Sequence, residues 1–241
     1  MSDLTNSVIV TGATGFVGSG VVSRLAAEDV ETLACVRRDI DPMQEGVRDM
    51  LVAELNATTD WRQVLSGVKS LVHLAARVHV MNDTEADPLT AFRAVNVEGA
   101  LNLARQAAAA GVKRFVFISS VKVNGESTQP GRAFTEADAP NQRSLVALSN
   151  LVDFIVTCIT HPPAANQTFL VSDGQDLSTT ELVRGMAQAA GVPARLLPVP
   201  VWALQAGASL LGKGDAVQRL CGNLQVDISK GRAVCWVGCR L

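Results

Sequence analysis

The chain reads as an α/β protein, a doubly wound parallel sheet followed by a small, incomplete C-terminal lobe. Three observations carry that reading. A β-branched run, Ser7-Val8-Ile9-Val10-Thr11, ends directly in a glycine-spaced turn, Gly12-Ala13-Thr14-Gly15-Phe16-Val17-Gly18. Short apolar strand patterns then alternate with helical ones as far as Ser120, the order that builds a parallel sheet with right-handed crossovers. Beyond Ser120 the rhythm breaks. The 241 residues are 48% hydrophobic, enough for one large domain or for a domain and a small lobe.

Each element follows in order. Residues 7–11 form a buried strand because they are continuously apolar and β-branched. Residues 16–28 set Phe16, Val17, Val21, Val22 and Leu25 on one helical stripe. Residues 31–36 and 50–55 read as the second and third strands, and 60–65 as a short helix capped by Asp60. A fourth strand covers 70–76, a long helix 89–110 is closed by Gly111, and a fifth strand covers 113–120. Residues 124–141, rich in Gly, Pro, Ser and acidic side chains, form a loop. A helix is expected over 145–160 and a strand over 168–171. Ser178-Thr179-Thr180-Glu181 has capping-box spacing and opens a helix to Ala190. Residues 196–201 are extended, and 202–211 form a last helix.

Composition excludes several roles. The formal net charge is -2, and no face is strongly basic, which argues against nucleic acid as a partner. No basic stretch followed by an apolar run opens the chain, and no apolar stretch reaches membrane-spanning length. A cytoplasmic protein with no membrane partner is the expectation. Five cysteines, Cys35, Cys158, Cys221, Cys235 and Cys239, are an odd number and read as free thiols. They form no C-x-x-C pair, so no metal site is expected. His73 falls inside the fourth strand and reads as structural, His79 just past it could touch a ligand, and His161 before Pro162-Pro163 reads as surface.

The glycine turn has a specific chemistry. Gly12 permits a sharp strand-to-helix turn, Gly15 lets a pyrophosphate approach the backbone, and Gly18 lets the helix pack close to the sheet. The helix N-terminus then offers free N–H groups and a positive dipole end to the phosphates. Placed after a strand and before a helix, the motif reads as a Rossmann-type dinucleotide site. The second strand runs into Arg37-Arg38-Asp39. Arginine there suits a 2′-phosphate, so of NAD(P) forms NADP is slightly favoured over NAD; both arginines are equally at home as solvated charges. The expected division is a dinucleotide-binding domain over 1–140 and a remnant lobe over 141–241.

Four stretches in this order resemble the extended short-chain dehydrogenase/reductases, in particular the NAD-dependent epimerase/dehydratase group acting on nucleotide sugars. They are Thr11 to Gly18, Val72-His73-Leu74-Ala75-Ala76, Val95-Asn96-Val97-Glu98-Gly99, and Phe117-Ile118-Ser119-Ser120-Val121-Lys122-Val123-Asn124-Gly125-Glu126. A weaker match resumes at Arg143-Ser144-Leu145-Val146. The resemblance implies that Leu74, Ala75 and Ala76 line the cofactor ribose, that Leu55 lies against the adenine, and that Asn96 props the long helix near the site. It places Ser119 at the cofactor and makes Ser120 the catalytic Ser/Thr that orients the reacting sugar hydroxyl or ketone. Lys122 and Arg143 become substrate contacts, Arg143 at the diphosphate of a UDP-sugar. Glu54 and Ser149 stand where the family usually has Asp. A homodimer through the helix over 89–110 is also implied.

One part of the family's machinery is missing. Its chemistry rests on a Tyr-x-x-x-Lys pair on one helix face, the lysine lowering the phenol's pKa for general acid/base work. This chain has no tyrosine. In the family the pair lies between the Ser-Ser strand and the Arg143-like segment; here Asp138-Ala139-Pro140 joins Asn141-Gln142-Arg143 directly. At about 30 residues per strand–helix unit, roughly 60–90 residues are absent. The tail from about 231, with Cys235-Trp236-Val237-Gly238-Cys239, reads as an out-of-frame version of a Leu-Leu-Gly-Trp-Val-Pro-Pro ending. The resemblance thus implies a nucleotide-sugar epimerase or ketoreductase by ancestry, impaired in catalysis. Two alternatives stand beside it: a non-catalytic dinucleotide-binding protein, and a truncated product that does not fold stably.

Overall fold

The computed structural model of the chain describes residues 7–38, 46–52, 54–78, 87–121, 142–196, 203, 206–208 and 222–235. Strands β1 (Val8–Thr11), β2 (Thr32–Val36), β3 (Val47–Leu51), β4 (Ser70–His73) and β5 (Arg114–Phe117) form one sheet in the order β3-β2-β1-β4-β5. All four pairings are parallel, with Thr11 opposite Cys35 on one side and His73 on the other. Strand order reverses between β1 and β4, which makes the C-terminal end of β1 the switch point where such sheets bind ligands. The fold is the Rossmann-like α/β sheet expected from the alternating pattern.

β1 and β2 are buried along their whole length, as strands covered on both faces must be. The two-residue period divides the core into layers. On one face Val8, Val10, Ala34 and Val72 pack with Val21, Val22 and Leu25 of helix α1 (Phe16–Ala27). On the other, Ile9, Leu33 and Leu71 pack with Trp61, Leu65, Leu103 and Ala107. The last two belong to α3 (Ala100–Ala109), which continues α2 (Pro88–Arg93) through a π-helical segment, Ala94–Gly99.

Helix α4 (Leu148–Thr160) belongs to the first layer. Val152, Ile155, Val156 and Ile159 join the Val8–Val72 cluster. A Cβ at Gly20 would stand 2.9 Å from Val152 Cγ2, so the α1–α4 contact is close. Arg24 Nη1 donates to Asp153 Oδ1 at 2.7 Å and links the two helices. The chain therefore divides otherwise than at 140. Residues up to Ser119 and Leu148–Gln167 form one unit; Ser120–Ala147 and Thr168–Val237 belong to the other. The reason is apolar: α4 buries six residues and cannot stay outside a core.

Within the second unit, β6 (Gln142–Ser144) pairs antiparallel with β7 (Asp176–Ser178). Ser178 caps α5 (Thr179–Ala189) in the expected reciprocal box: Glu181 N donates to Ser178 Oγ at 3.2 Å and Ser178 N to Glu181 Oε2 at 2.8 Å. α6 (Ser229–Val234) carries the start of the anomalous tail as a regular helix. Residues 236–241 lie outside the described set, as do 197–202 and most of the helix expected over 202–211.

Some local expectations shift. The third strand lies at Val47–Leu51 rather than 50–55; Val52 N donates to Val36 O and closes the ladder. Residues 60–65 form turns instead of a helix. Arg62 N donates to Asp60 Oδ1 as at a cap and Leu65 N donates to Trp61 O, but the bonding then falls back to turns, Ser66 N to Gln63 O and Val68 N to Leu65 O. β4 and β5 end at His73 and Phe117, short of 76 and 120. Residues 168–171 pair with no strand among the described residues.

Ile155, fully buried between α1 and the sheet, gives the test of this division. Ile155→Ala should cost about 2–5 kcal/mol and should speed hydrogen exchange of the β1 amides. Unchanged β1 protection would show that α4 folds independently of the sheet.

Candidate functional site

The turn after β1 is held by close backbone contacts. Gly12 has φ +72°, and a Cβ there would stand 2.7 Å from Ala75 N and 2.8 Å from Leu74 C. A Cβ at Gly18 would lie 2.1 Å from Gly12 O, and one at Gly15 3.2 Å from the same oxygen. Gly15 N donates back to Gly12 O at 2.9 Å, tightening the turn. α1 then starts at Phe16 with Gly15 as its N-cap, no side-chain cap and no acidic residue in its first turn. Its leading amides are left for a ligand. Gly12 and Gly18 let the turn close on β4 and on itself, and the α1 N-terminus is left clear of side-chain caps, an arrangement that fits a pyrophosphate.

The end of β4 completes the floor. Leu74 N donates to Thr11 O at 3.1 Å and Ala75 N to Thr11 Oγ1 at 3.3 Å. Thr11 Oγ1 also lies 2.6 Å from His73 Nδ1, and both side chains are buried. Burial pushes the His73 pKa down to about 4, so the ring is neutral. Oγ1 is thus shared between the Ala75 amide, which donates to it, and the neutral ring at Nδ1. The imidazole stacks on Phe117 at 5.6 Å between centroids.

Asn96 grips the segment that follows. Arg77 N donates to Asn96 Oδ1 at 2.8 Å, and Asn96 Nδ2 donates to Arg77 O at 2.9 Å. The guanidinium of Arg77 lies over the Phe92 ring at 5.5 Å. Gly99, one helical turn on, lets the helix touch Leu55: a Cβ there would lie 2.9 Å from Leu55 C and O. The π segment carries both residues, and such segments recur at functional sites.

The first unit thus brings Gly12 against Leu74 and Ala75, ties Asn96 to the backbone of Arg77, and seats Leu55 against Gly99. Arg37 and Arg38 are exposed just beyond β2, with no ion pair among the described residues. Ser119 and Ser120 are exposed just after β5. Arg143 belongs to the second unit, where it pairs with Leu177 and bridges to Leu224. Lys122 and His79 lie outside the described residues. Burial raises the Cys35 thiol pKa to about 12, so it is not a nucleophile. Among the described residues no His, Cys, Asp or Glu cluster could hold a metal, and no helix is long and apolar enough to cross a membrane. The hydroxyl of Thr11, the backbone of Arg77 and the close approach at Gly99 went unread in the sequence. Only the spacing of Asn96 and Gly99 hinted at the last.

Comparison with known proteins agrees with this geometry. The model of the NAD dependent epimerase/dehydratase family matches residues 8–165. A UDP-glucose 4-epimerase of Vibrio cholerae is 40% identical over 292 aligned positions, which take in 94% of this chain and 88% of that protein. Since 94% of 241 residues is about 227, about 65 of those 292 positions face no residue here. A putative dihydroflavonol 4-reductase of Synechocystis is 32% identical over 147 residues, 60% of this chain and 41% of that one. A short-chain dehydrogenase/reductase superfamily protein of Agrobacterium tumefaciens, solved with bound NAD, shares the fold at 17% identity and a TM-score of 0.67, covering 98% of this chain and 93% of its own.

Two outcomes follow from the site's packing. Gly18→Ala should destabilise by about 1–3 kcal/mol, the cost of overpacking, whereas Gly185→Ala on α5, with open space around it, should stabilise by up to about 1 kcal/mol. Urea midpoints measure both; a neutral Gly18→Ala would contradict the tight turn. His73 sets a pH window. The unfolded ring, at 6.5, binds protons that the folded one, at about 4, refuses. Stability is therefore full above about pH 6.5 and declines by about 3 kcal/mol as pH falls toward 4. His73→Gln should flatten this decline in a midpoint-against-pH series, and an unchanged slope would assign it to another group.

Proposed function

We propose, for a chain that belongs to the NAD dependent epimerase/dehydratase family, that it binds a nicotinamide dinucleotide at Gly12–Gly18 and turns over nucleotide sugars poorly or not at all. Its ancestry is that of a nucleotide-sugar epimerase. One observation carries the reading: the cofactor cradle is intact while the sequence holds no tyrosine.

The residues divide into holding and reacting groups. The α1 amides from Phe16 to Gly18 take the pyrophosphate, with Ala13 and Thr14 forming the turn. Leu74, Ala75 and Ala76 line the ribose, Leu55 flanks the adenine, and Asn96 fixes the helix that covers them. Arg37 and Arg38 support a preference for NADP within a family described by NAD. When bound, the nicotinamide supplies a hydride acceptor and donor for a sugar carbon. Ser120 orients the sugar oxygen, Ser119 lies at the cofactor, and Lys122 and Arg143 are the proposed substrate contacts. None of these is a phenol that could carry the proton from the sugar hydroxyl. The aligned positions that face no residue here support an excised segment as the reason.

The apolar surface supports a second reading. Leu89, Val97, Leu101 and Phe117 are 60, 49, 47 and 53% exposed, and β5 ends the sheet. A chain with such a face associates or folds weakly, and the homodimer implied by the resemblance would use the same helix.

NADH and NADPH fluorescence titrations, combined with a UDP-glucose/UDP-galactose interconversion assay, separate these cases. Saturable binding without detectable interconversion is expected. Robust interconversion would sink the claim of impairment, and no cooperative melt with or without cofactor would favour the weakly folded chain.

A further inference from the structure

We infer that Thr11 and His73 form a buried positioning pair that sets the height of the glycine turn over the end of β4 and so tunes cofactor affinity. The inference rests on the dinucleotide-binding reading. Thr11 and His73 are register partners at the last positions of β1 and β4. Thr11 receives two successive amides of the segment beyond β4: Leu74 N at its carbonyl and Ala75 N at its hydroxyl. The same two residues are those a Cβ at Gly12 would strike. Wherever Thr11 holds Leu74 and Ala75, Gly12 must follow.

His73 fixes the hydroxyl. At 2.6 Å from Nδ1 the hydroxyl is tied to the ring, which holds Oγ1 where the Ala75 amide reaches it. The ring itself is held from β5, stacked on Phe117 and tilted against Phe115 at 6.2 Å. The surrounding layer is Val8, Ile9, Val10, Leu71 and Val72, all fully buried. Apolar residues at 11 and 73 would fill that layer as well. Replacing both partners of a buried hydrogen bond by apolar groups is close to neutral for stability, whereas removing one leaves the other unsatisfied. The bond between the two side chains is thus not needed for folding; what it adds is the orientation of the Ala75 amide under Gly12.

The full-length chain provides the test through four variants: Thr11→Ser, Thr11→Val, His73→Leu and the double Thr11→Val/His73→Leu. Dissociation constants for NADH and NADPH come from fluorescence titration, and Tm from thermal melts. Thr11→Ser should bind within about twofold of the parent, because it keeps the hydroxyl. Thr11→Val and His73→Leu should each weaken binding roughly tenfold and lower Tm. The double variant should regain Tm relative to Thr11→Val, since only the Ala75 amide then lacks its partner, yet keep the tenfold loss of affinity. Parent-like affinity in the double variant, or affinity losses that simply follow Tm across the series, would overturn the pair. A parent chain that binds neither nucleotide would overturn the dinucleotide reading together with it.

Discussion

Where Gly12 meets Ala75, two backbones lie so close that no side chain fits between them. The rest of the site is arranged around that contact. It requires β1 and β4 to be neighbours in register, which places the strand-order reversal there. It requires a left-handed residue at the turn, and the same oxygen of Gly12 then excludes a Cβ at Gly18. Backbone amides therefore supply most of what faces a ligand at this point, and side chains mainly position them. A site made this way depends on sheet register more than on distant segments. That is consistent with an intact cradle in a chain that lacks about 65 positions of its Vibrio cholerae relative.

The core shows the same self-sufficiency. Each face of the sheet has its own cluster, one closed by α1 and α4, the other by α3 and the turns around Trp61. α4 comes from beyond the segment 122–141, yet it buries its apolar face against α1, β4 and β5. The half of the sheet built on β1 and β2 is covered on both faces. The other half ends at β5, whose four residues are only partly covered.

Much of this was legible in the residues. The alternation of apolar runs gave the order of strands and helices, and Gly12, Gly15 and Gly18 marked the turn because only glycine fits three such approaches. The capping box at Ser178 was readable because both partners are local. What escaped was non-local. α4 belongs with the sheet because of what Ile155 touches, and no spacing within 145–160 reveals that. The Trp61 amide bonds Gln106, 45 residues away, a tie that no local pattern displays. Three-residue strands such as β6 and β7 are too short to display a period. At the site, Thr11 read as the end of a strand, and its hydroxyl acquired a role only when His73 came opposite it.

The π segment gives the long helix a property that a uniform α-helix would lack. Each residue of an α-helix advances by about 100°, so one inserted residue rotates everything beyond it by that angle. Upstream, the helix is oriented by Arg77 through Phe92 and Asn96. Downstream, it is oriented by Leu103 and Ala107 in the core and by Asn102 and Gln106, which bond the carbonyls of Asn56 and Thr59. One rigid phase would have to serve both sets of contacts. The wider turn at Ala94–Gly99 acts as a phase shifter, so the two halves can meet the nucleotide loop and the sheet at their own angles.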